Sequence, residues 1–278
     1  MKVSIDWPLW AGSAMPDDLK LVRRYELKYL IAEETAQEIR DHIRKVCVLD
    51  SHADPTTCTY IVNNIYFDTP DLRFYHDTRF RKLTRFKPRA RYYGDACDCI
   101  FPELKYRHGS IIWKTRYKTT MSEWRQLFNG RSEEHEEPVI KRYHDTFDEV
   151  IRMYAAEPTL QVRYIREPYV TQLEDYGRVT FDRRLTSRLA FGSYETDLDD
   201  DFIFYDDAQS MRCDDSMVVL EIKVETNVPR WVIELVRKFD LVQTGFSKYC
   251  TGIEHHTHYR ATERTGIHAR NGFHLGMR

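Results

Sequence analysis

Between Met217 and Glu225 the chain alternates almost without error: Val218, Leu220, Ile222 and Val224 fall on one face of a strand, and Val219, Glu221, Lys223 and Glu225 on the other. One strand of this kind has an ordinary solvent side. Here the pattern recurs along the chain. Arg24, Glu26 and Lys28 stand opposite Tyr25, Leu27 and Tyr29, and Arg89 and Arg91 alternate with Ala90 and Tyr92. Glu103 and Lys105 alternate with Leu104 and Tyr106, and Lys114, Arg116 and Lys118 with Thr115 and Tyr117. Arg163 lies in the apolar run from Leu160 to Ile165, and Arg178, Thr180 and Asp182 share a face opposite Val179 and Phe181. Like charges facing one another across strands destabilise a sheet, so so many basic faces make sense where a polyanion neutralises them. The pattern predicts an α+β protein: an antiparallel β tunnel or barrel with a basic lumen and helices packed outside. The glutamates among the cations supply hard oxygen ligands of the kind magnesium and manganese prefer.

The net charge of −2 conceals this arrangement. The stretch from Asp197 to Asp215 holds eight aspartates against Arg212 alone, so the rest of the chain is basic. That stretch and the cluster Glu133, Glu134, Glu136 and Glu137, which ends at Pro138, read as solvated connections. With 278 residues the chain has the length of one enlarged domain, and its 42% apolar content suffices for a core. No apolar run approaches the roughly 18 residues of a spanning helix, and Asp6, Pro8 and Gly12 interrupt any apolar leader, so a cytoplasmic protein without a membrane span of its own is expected. Six cysteines without a CxxC pair argue against a disulfide scaffold or a zinc knuckle. His255, His256, His258, His268 and His274 form a loose group without the fixed spacing of a metal site.

Helical periodicity is confined to three segments, Glu33–Val48, Pro138–Ala156 and Pro229–Leu241, each with one apolar face suited to packing, and a short helix is expected after Lys248. Residues 1–20 read as an N-terminal arm, 21–258 as the domain and 259–278 as a tail.

Seven motifs stand in order on the expected strands and near the last turn: Arg24–Tyr29 (RYELKY), Ile65–Thr69 (IYFDT), Arg89–Gly94 (RARYYG), Glu103–Lys105 (ELK), Val179–Asp182 (VTFD), Leu220–Lys223 (LEIK) and Phe246–Tyr249 (FSKY). Together, from about Arg24 to Glu254, they resemble the polyphosphate polymerase (VTC) domain within the triphosphate tunnel metalloenzyme, or CYTH-like, superfamily. The resemblance implies an eight-stranded antiparallel tunnel that moves the γ-phosphoryl group of ATP to a growing inorganic polyphosphate chain. It implies that Lys28, Arg89, Arg91, Lys105, Lys114, Arg163, Arg178 and Lys223 line the phosphate path. Glu221 is then the ligand of a divalent metal, Mn2+ or Mg2+, and Lys248 the catalytic lysine, acting with Arg89 and Arg91. Where the hydrolytic branch opens on Glu-x-Glu-x-Lys, this chain has Arg24 in the first position, which favours the polymerase branch over a tripolyphosphatase or nucleoside triphosphatase. A polyphosphate-binding module without catalysis is the non-enzymatic alternative. The expected partners are ATP and polyphosphate, with room for an unidentified protein partner. Glutamates on the same faces as the cations argue against nucleic acid.

Overall fold

The computed structural model describes residues 25–94, 98–109, 111–124, 141–172, 177–196, 201–206, 217–225 and 228–264. Arg24, the N-terminal arm, the Glu133–Glu137 cluster, most of the acidic 197–215 stretch, His268 and His274 lie outside them. The strands are β1 (Tyr25–Ile31), β2 (Cys47–Leu49), β3 (Tyr60–Asp68), β4 (Thr84–Tyr93), β5 (Cys99–His108), β6 (Ile111–Arg116), β7 (Thr119–Thr120), β8 (Glu157–Thr171), β9 (Gly177–Leu189), β10 (Ile203–Phe204) and β11 (Val218–Val224). The helices are α1 (Glu33–Ile43), α2 (Arg73–Arg79), α3 (Lys141–Met153), α4 (Arg230–Lys238) and α5 (Lys248–Arg264).

Eight strands follow one antiparallel path, β1-β11-β9-β8-β3-β4-β5-β6, and the short β2, β7 and β10 pair onto it. Backbone pairing between β1 and β6 is not present in this path, so hydrogen bonds do not close the barrel among the described residues. Side chains show how far the sheet curls. Lys105 on β5 reaches Glu26 on β1 at 2.8 Å, although five strands separate the two in the sheet order.

Period-2 alternation sorts the residues between two faces, as the sequence predicts. The outer face of β1, β11 and β9 buries Tyr29, Leu220, Ile222, Val179 and Phe181 under Ala36, Ile39 and Ile43 of α1 and Val232 and Leu235 of α4. The outer face of β3, β4 and β5 buries Ile65, Phe67, Ala90, Tyr92 and Leu104 with Phe147 and Val150 of α3. Each aliphatic side chain fully withdrawn from water contributes about 1.5–3 kcal/mol, so these two layers hold the charged inner face in place. A third apolar cluster lies on the inner face itself, where Val62, Tyr66, Leu160, Val162, Leu185 and Val219 pack on Tyr249, Cys250 and Ile253 of α5. Helix α5 therefore covers one end of the inner face and leaves the rest to polar groups.

The segment from Glu33 leaves its helix earlier than its periodicity suggests. α1 stops at Ile43, and Cys47–Leu49 joins the sheet as β2 against Tyr169–Thr171. α2 carries no clear apolar period and is not expected, whereas the helix expected after Lys248 is present and longer than a short one. α5 begins at Lys248 and runs to Arg264, and His256 on it is buried 3.2 Å from Ser187 Oγ. Among the described residues no helix is long and apolar enough to cross a membrane.

Candidate active site

The inner face away from α5 carries two linked groups of charges. The first spans β1, β11, β9 and β8. Register places Lys28 opposite Glu221, Glu26 opposite Lys223, and Asp182 opposite Arg166. Lys28 Nζ lies 3.3 Å from Glu26 and 3.5 Å from Glu221, while Lys223 reaches Glu221 at 3.1 Å. Arg166 donates a two-pronged pair of hydrogen bonds to Asp182, 2.7 and 2.8 Å, and its Nη2 lies 3.6 Å from Glu221. Lys248 completes the chain of contacts, 2.6 Å from Asp182 and 4.7 Å above the ring of Tyr164.

The second group spans β4, β5 and β6 around Glu103, which is 1% exposed. Arg89 donates to it from Nε at 2.8 Å and Nη2 at 2.7 Å, Lys114 from 2.6 Å, and Arg116 lies at 3.5 Å. Beside it Arg91 donates to Asn64 Oδ1 at 2.9 Å. Lys105 joins the two groups through Glu26.

These carboxylates hold their charge against burial. Burial works to raise Glu103, yet Arg89, Arg91 and Lys114 outweigh it and hold the group well below the usual carboxylate range. Burial opposes ionisation of Asp182 too, but Arg166 and Lys248 draw it down to about 2. Glu221 is likewise lowered, burial being overcome by Lys223 and Lys28. Lys87, enclosed between Lys28 and Lys105 and donating to Ser247 Oγ at 3.1 Å, moves the other way: burial, then those like charges, bring it down to about 8. The face thus has more cations than fixed carboxylates, and two lysines close to giving up a proton: Lys87, and Lys114, which burial and then the charges of Arg89 and Arg91 bring down to about 7.

The local sequence explains the placement of Lys248. Ser247 caps α5, its Oγ accepting from the Cys250 N–H at 3.4 Å, while Thr251 N–H donates to the Ser247 carbonyl. Tyr249 stacks on Tyr66 with ring centroids 5.1 Å apart and donates to the buried Asp68 at 2.5 Å. Pinned on both sides, Lys248 extends over β8 and β9.

Of the residues expected on the phosphate path, Lys28 and Lys223 stand on this face at Glu221, Arg89, Arg91 and Lys114 at or beside Glu103, and Lys105 between the two groups, with the expected catalytic lysine, Lys248, on the same face. Arg178 is on the same face at the end away from α5, where it donates to Tyr60 Oη and pairs with Asp50, both at 2.9 Å. Arg163 does not join them. It stands on the outer face, donating to Asn63 Oδ1 at 2.9 Å with its guanidinium 5.0 Å from the Phe202 ring. Parity is the reason: Leu160, Val162, Tyr164 and Arg166 share the inner side of β8, so the arginine that faces the lumen is Arg166. The signal was present in the alternation from Leu160 to Arg166. Glu26, Lys87, Glu103, Arg116 and Asp182 are further inner-face residues that the expected set omits.

Glu26 and Glu221 are the pair best suited to a metal ion. They stand side by side on β1 and β11, and Lys28 Nζ reaches both, Glu26 at 3.3 Å and Glu221 at 3.5 Å. Two adjoining carboxyl groups are a hard-oxygen donor set of the kind a divalent cation takes. Among the described residues no group of three or more His, Cys, Asp or Glu side chains converges on one point, so other ligands would come from phosphate and water.

Several solved structures are similar to this one at low identity. They include a candidate adenylate cyclase from Bacillus halodurans (13% identity, TM-score 0.43, covering 81% of this chain and 95% of that one). Another is a candidate adenylyl cyclase from Hippeastrum described as having a dominant triphosphatase activity (14%, 0.42, 87% and 95%). The PH1819 protein from Pyrococcus horikoshii is a third (13%, 0.42, 83% and 98%). No curated protein matches the chain significantly in sequence. The sequence model of the VTC domain matches residues 23–256, nearly the whole of the described fold, with the strands that carry both charge groups and the first turns of α5 inside it. This chain belongs to the VTC domain family.

Proposed function

We propose that the protein is a polyphosphate polymerase that transfers the γ-phosphoryl group of ATP to the end of an inorganic polyphosphate chain within the curled sheet. The observation that carries this reading is the continuous inner-face array from Lys28 through Lys105 to Arg89 and Arg91, in which cations exceed the carboxylates that hold them. Such a surface suits a ligand with one negative charge per phosphate, repeated over several units. Arg24, which stands in the sequence where the hydrolytic pattern has its first glutamate, supports transfer to phosphate over transfer to water.

Phosphoryl transfer passes through a loose, in-line transition state with charge spread over the oxygens, so positioning and electrostatic stabilisation supply most of the catalysis. Arg89 and Arg91, rooted by Glu103 and Asn64, are planar forks suited to holding phosphate oxygens of donor and acceptor. Their charge offsets the mutual repulsion of the two anions. Lys248 and Arg166 share Asp182, and an arriving phosphate competes with that carboxylate for both cations. The acceptor brings its own oxygen nucleophile, so the protein needs none. Glu221 with Glu26 would hold Mn2+ or Mg2+, which when bound neutralises charge on the diphosphate leaving group.

The test is incubation of the purified protein with terminally labelled ATP and manganese, with and without a short polyphosphate primer, alongside Glu221→Ala. A ladder of long chains that the variant loses is the expected product. Label found only in orthophosphate reassigns the protein to hydrolysis, and no turnover reassigns it to binding.

A further inference from the structure

At the end of the inner face away from α5, rings take the place of charges. Arg178 on β9 donates from Nη2 to the Tyr60 hydroxyl on β3 at 2.9 Å. Tyr60 meets Tyr93 on β4 edge to face, ring centroids 5.6 Å apart, and Tyr93 meets Phe101 on β5 in the same way at 6.1 Å. Arg116 on β6 closes the arc, its guanidinium carbon 3.9 Å from the centre of the Phe101 ring. Alternation puts the rings inside: Tyr60 and Tyr93 pack on the inner apolar cluster, and Phe101 follows Ile100, which is buried on the outer side. All three rings are half-buried, so the arc lines a mouth of the lumen instead of joining a core.

The arc begins where the cations of the phosphate path end. Tyr93 follows Arg91 on the same face of β4, roughly 7 Å further along the strand. Burial works to raise the Tyr93 phenol, yet Arg91 and then Arg116 outweigh it and lower the group, so the ring stands in the field of both. The pairing of β4 with β5 gives a direction. From Arg89 and Glu103 toward α5, register sets Lys87 against Lys105 and Arg85 against Arg107, two like-charge pairs that destabilise a sheet until an anion lies between them. In the other direction the next pair is Arg91 and Phe101. Phosphates are therefore drawn toward α5, and the nucleoside that a nucleotide carries on its α-phosphate is left at the arc.

Rings and guanidinium planes are groups that hold a nucleobase, because every base has a π face, and one such stack is worth about tenfold or more in affinity. The Tyr60 hydroxyl is already engaged by Arg178, and Phe101 carries none. The arc thus offers ring surface more than a hydrogen-bonding pattern matched to one base.

We infer that this arc is a nucleoside site, which holds the base of the phosphoryl donor by stacking and takes either purine. The inference deepens the proposed function and rests on it. It gives ATP an orientation in the lumen, with the base at the mouth away from α5 and the phosphates pointing toward α5.

The test is calorimetric titration of ATP, GTP and tripolyphosphate into the full chain, with EDTA present to prevent turnover, for wild type, Tyr93→Leu and Phe101→Leu. Both variants should bind ATP and GTP about tenfold more weakly, and tripolyphosphate within about twofold of wild type. Retained tripolyphosphate affinity also shows that the lumen of the variant is folded. ATP affinity untouched by both substitutions overturns the inference, as does a loss shared equally by tripolyphosphate, which makes the rings supports of the phosphate path. A wild-type preference of more than about tenfold for one purine overturns the absence of selection. In each of these cases wild-type binding of tripolyphosphate leaves the reading of the lumen intact, whereas a wild type that binds neither ATP nor tripolyphosphate removes that reading and this inference with it.

Discussion

Replacing Glu103 with Gln tests the electrostatic design of the lumen. The carboxylate is 1% exposed and holds Arg89 by two short contacts and Lys114 by one. Removing one partner of a buried ion pair costs about 3–5 kcal/mol, because the cation stays behind uncompensated. Here two of the stranded cations are partly solvated, Lys114 at 43% and Arg116 at 38% exposure, and water screens them. Most of the penalty falls on Arg89, at 22%, which puts the expected loss near the lower limit, about 3 kcal/mol. Urea unfolding reads it directly as a midpoint lowered by roughly 1 M or more, with an unchanged slope. The second half of the prediction is the more specific. Tripolyphosphate supplies the missing negative charge, so at a hundredfold its Kd for wild type, where it stabilises wild type by roughly 2.7 kcal/mol, it should stabilise Glu103→Gln by more. Loss of less than about 0.5 kcal/mol, the range of an ordinary surface substitution, or equal stabilisation of both proteins by tripolyphosphate, refutes the reasoning.

Two further outcomes follow from the same geometry. Arg166→Lys keeps the charge but loses the paired fork on Asp182, so turnover should fall by about two orders of magnitude, whereas Arg163→Lys on the outer face should stay within about twofold of wild type; steady-state assays that rank the two the other way contradict the assignment of faces. Lys87, at about 8, loses its charge as the pH rises from 7 to 9, so phosphate affinity should fall. Its folded value lies below that of the unfolded lysine, about 10.4, so the unfolded state binds more protons in this window and stability rises with pH. Titration and urea unfolding of wild type and Lys87→Met at both pH values isolate the two opposite trends, and a Lys87-dependent stability that falls with pH contradicts the burial argument.

How much of this was legible beforehand depends on the residue. Strand faces were readable wherever alternation is uninterrupted, as at Val218–Val224, because period 2 leaves one choice of sides once the apolar side is known. At Arg163 the choice failed because an arginine was picked by type rather than parity, and Tyr164 and Arg166, two positions apart, mark the inner side. The neighbouring strand shows a limit that alternation cannot overcome: Arg183 pairs with Ile165 but Thr186 with Arg163, one residue more on β9, with Arg184 at a φ of 51°. That bulge places Asp182 and then Leu185 inward, and nothing local in the sequence announces it. Only a short helix could be expected after Lys248, because the buried positions of α5, Tyr249, Cys250, Ile253 and His256, keep helical spacing but end on a polar residue. Its start was marked all the same, by Ser247 in cap position. The carboxylates at the centre of each cluster were less visible than the cations, since a glutamate on a charged face gives no sign of whether it anchors arginines or meets solvent until the strands are placed side by side.

The central claim is that one inner face binds the phosphate chain and positions a divalent ion at Glu221. Diffraction from crystals grown with manganese and a non-hydrolysable ATP analogue, recorded where manganese scatters anomalously, addresses both halves together. The account predicts a single strong anomalous peak within coordination distance of Glu221 and Glu26, about 2.0–2.6 Å from their oxygens, with phosphates running from it toward Arg89 and Arg91. A peak elsewhere, or phosphates bound away from these arginines, contradicts it.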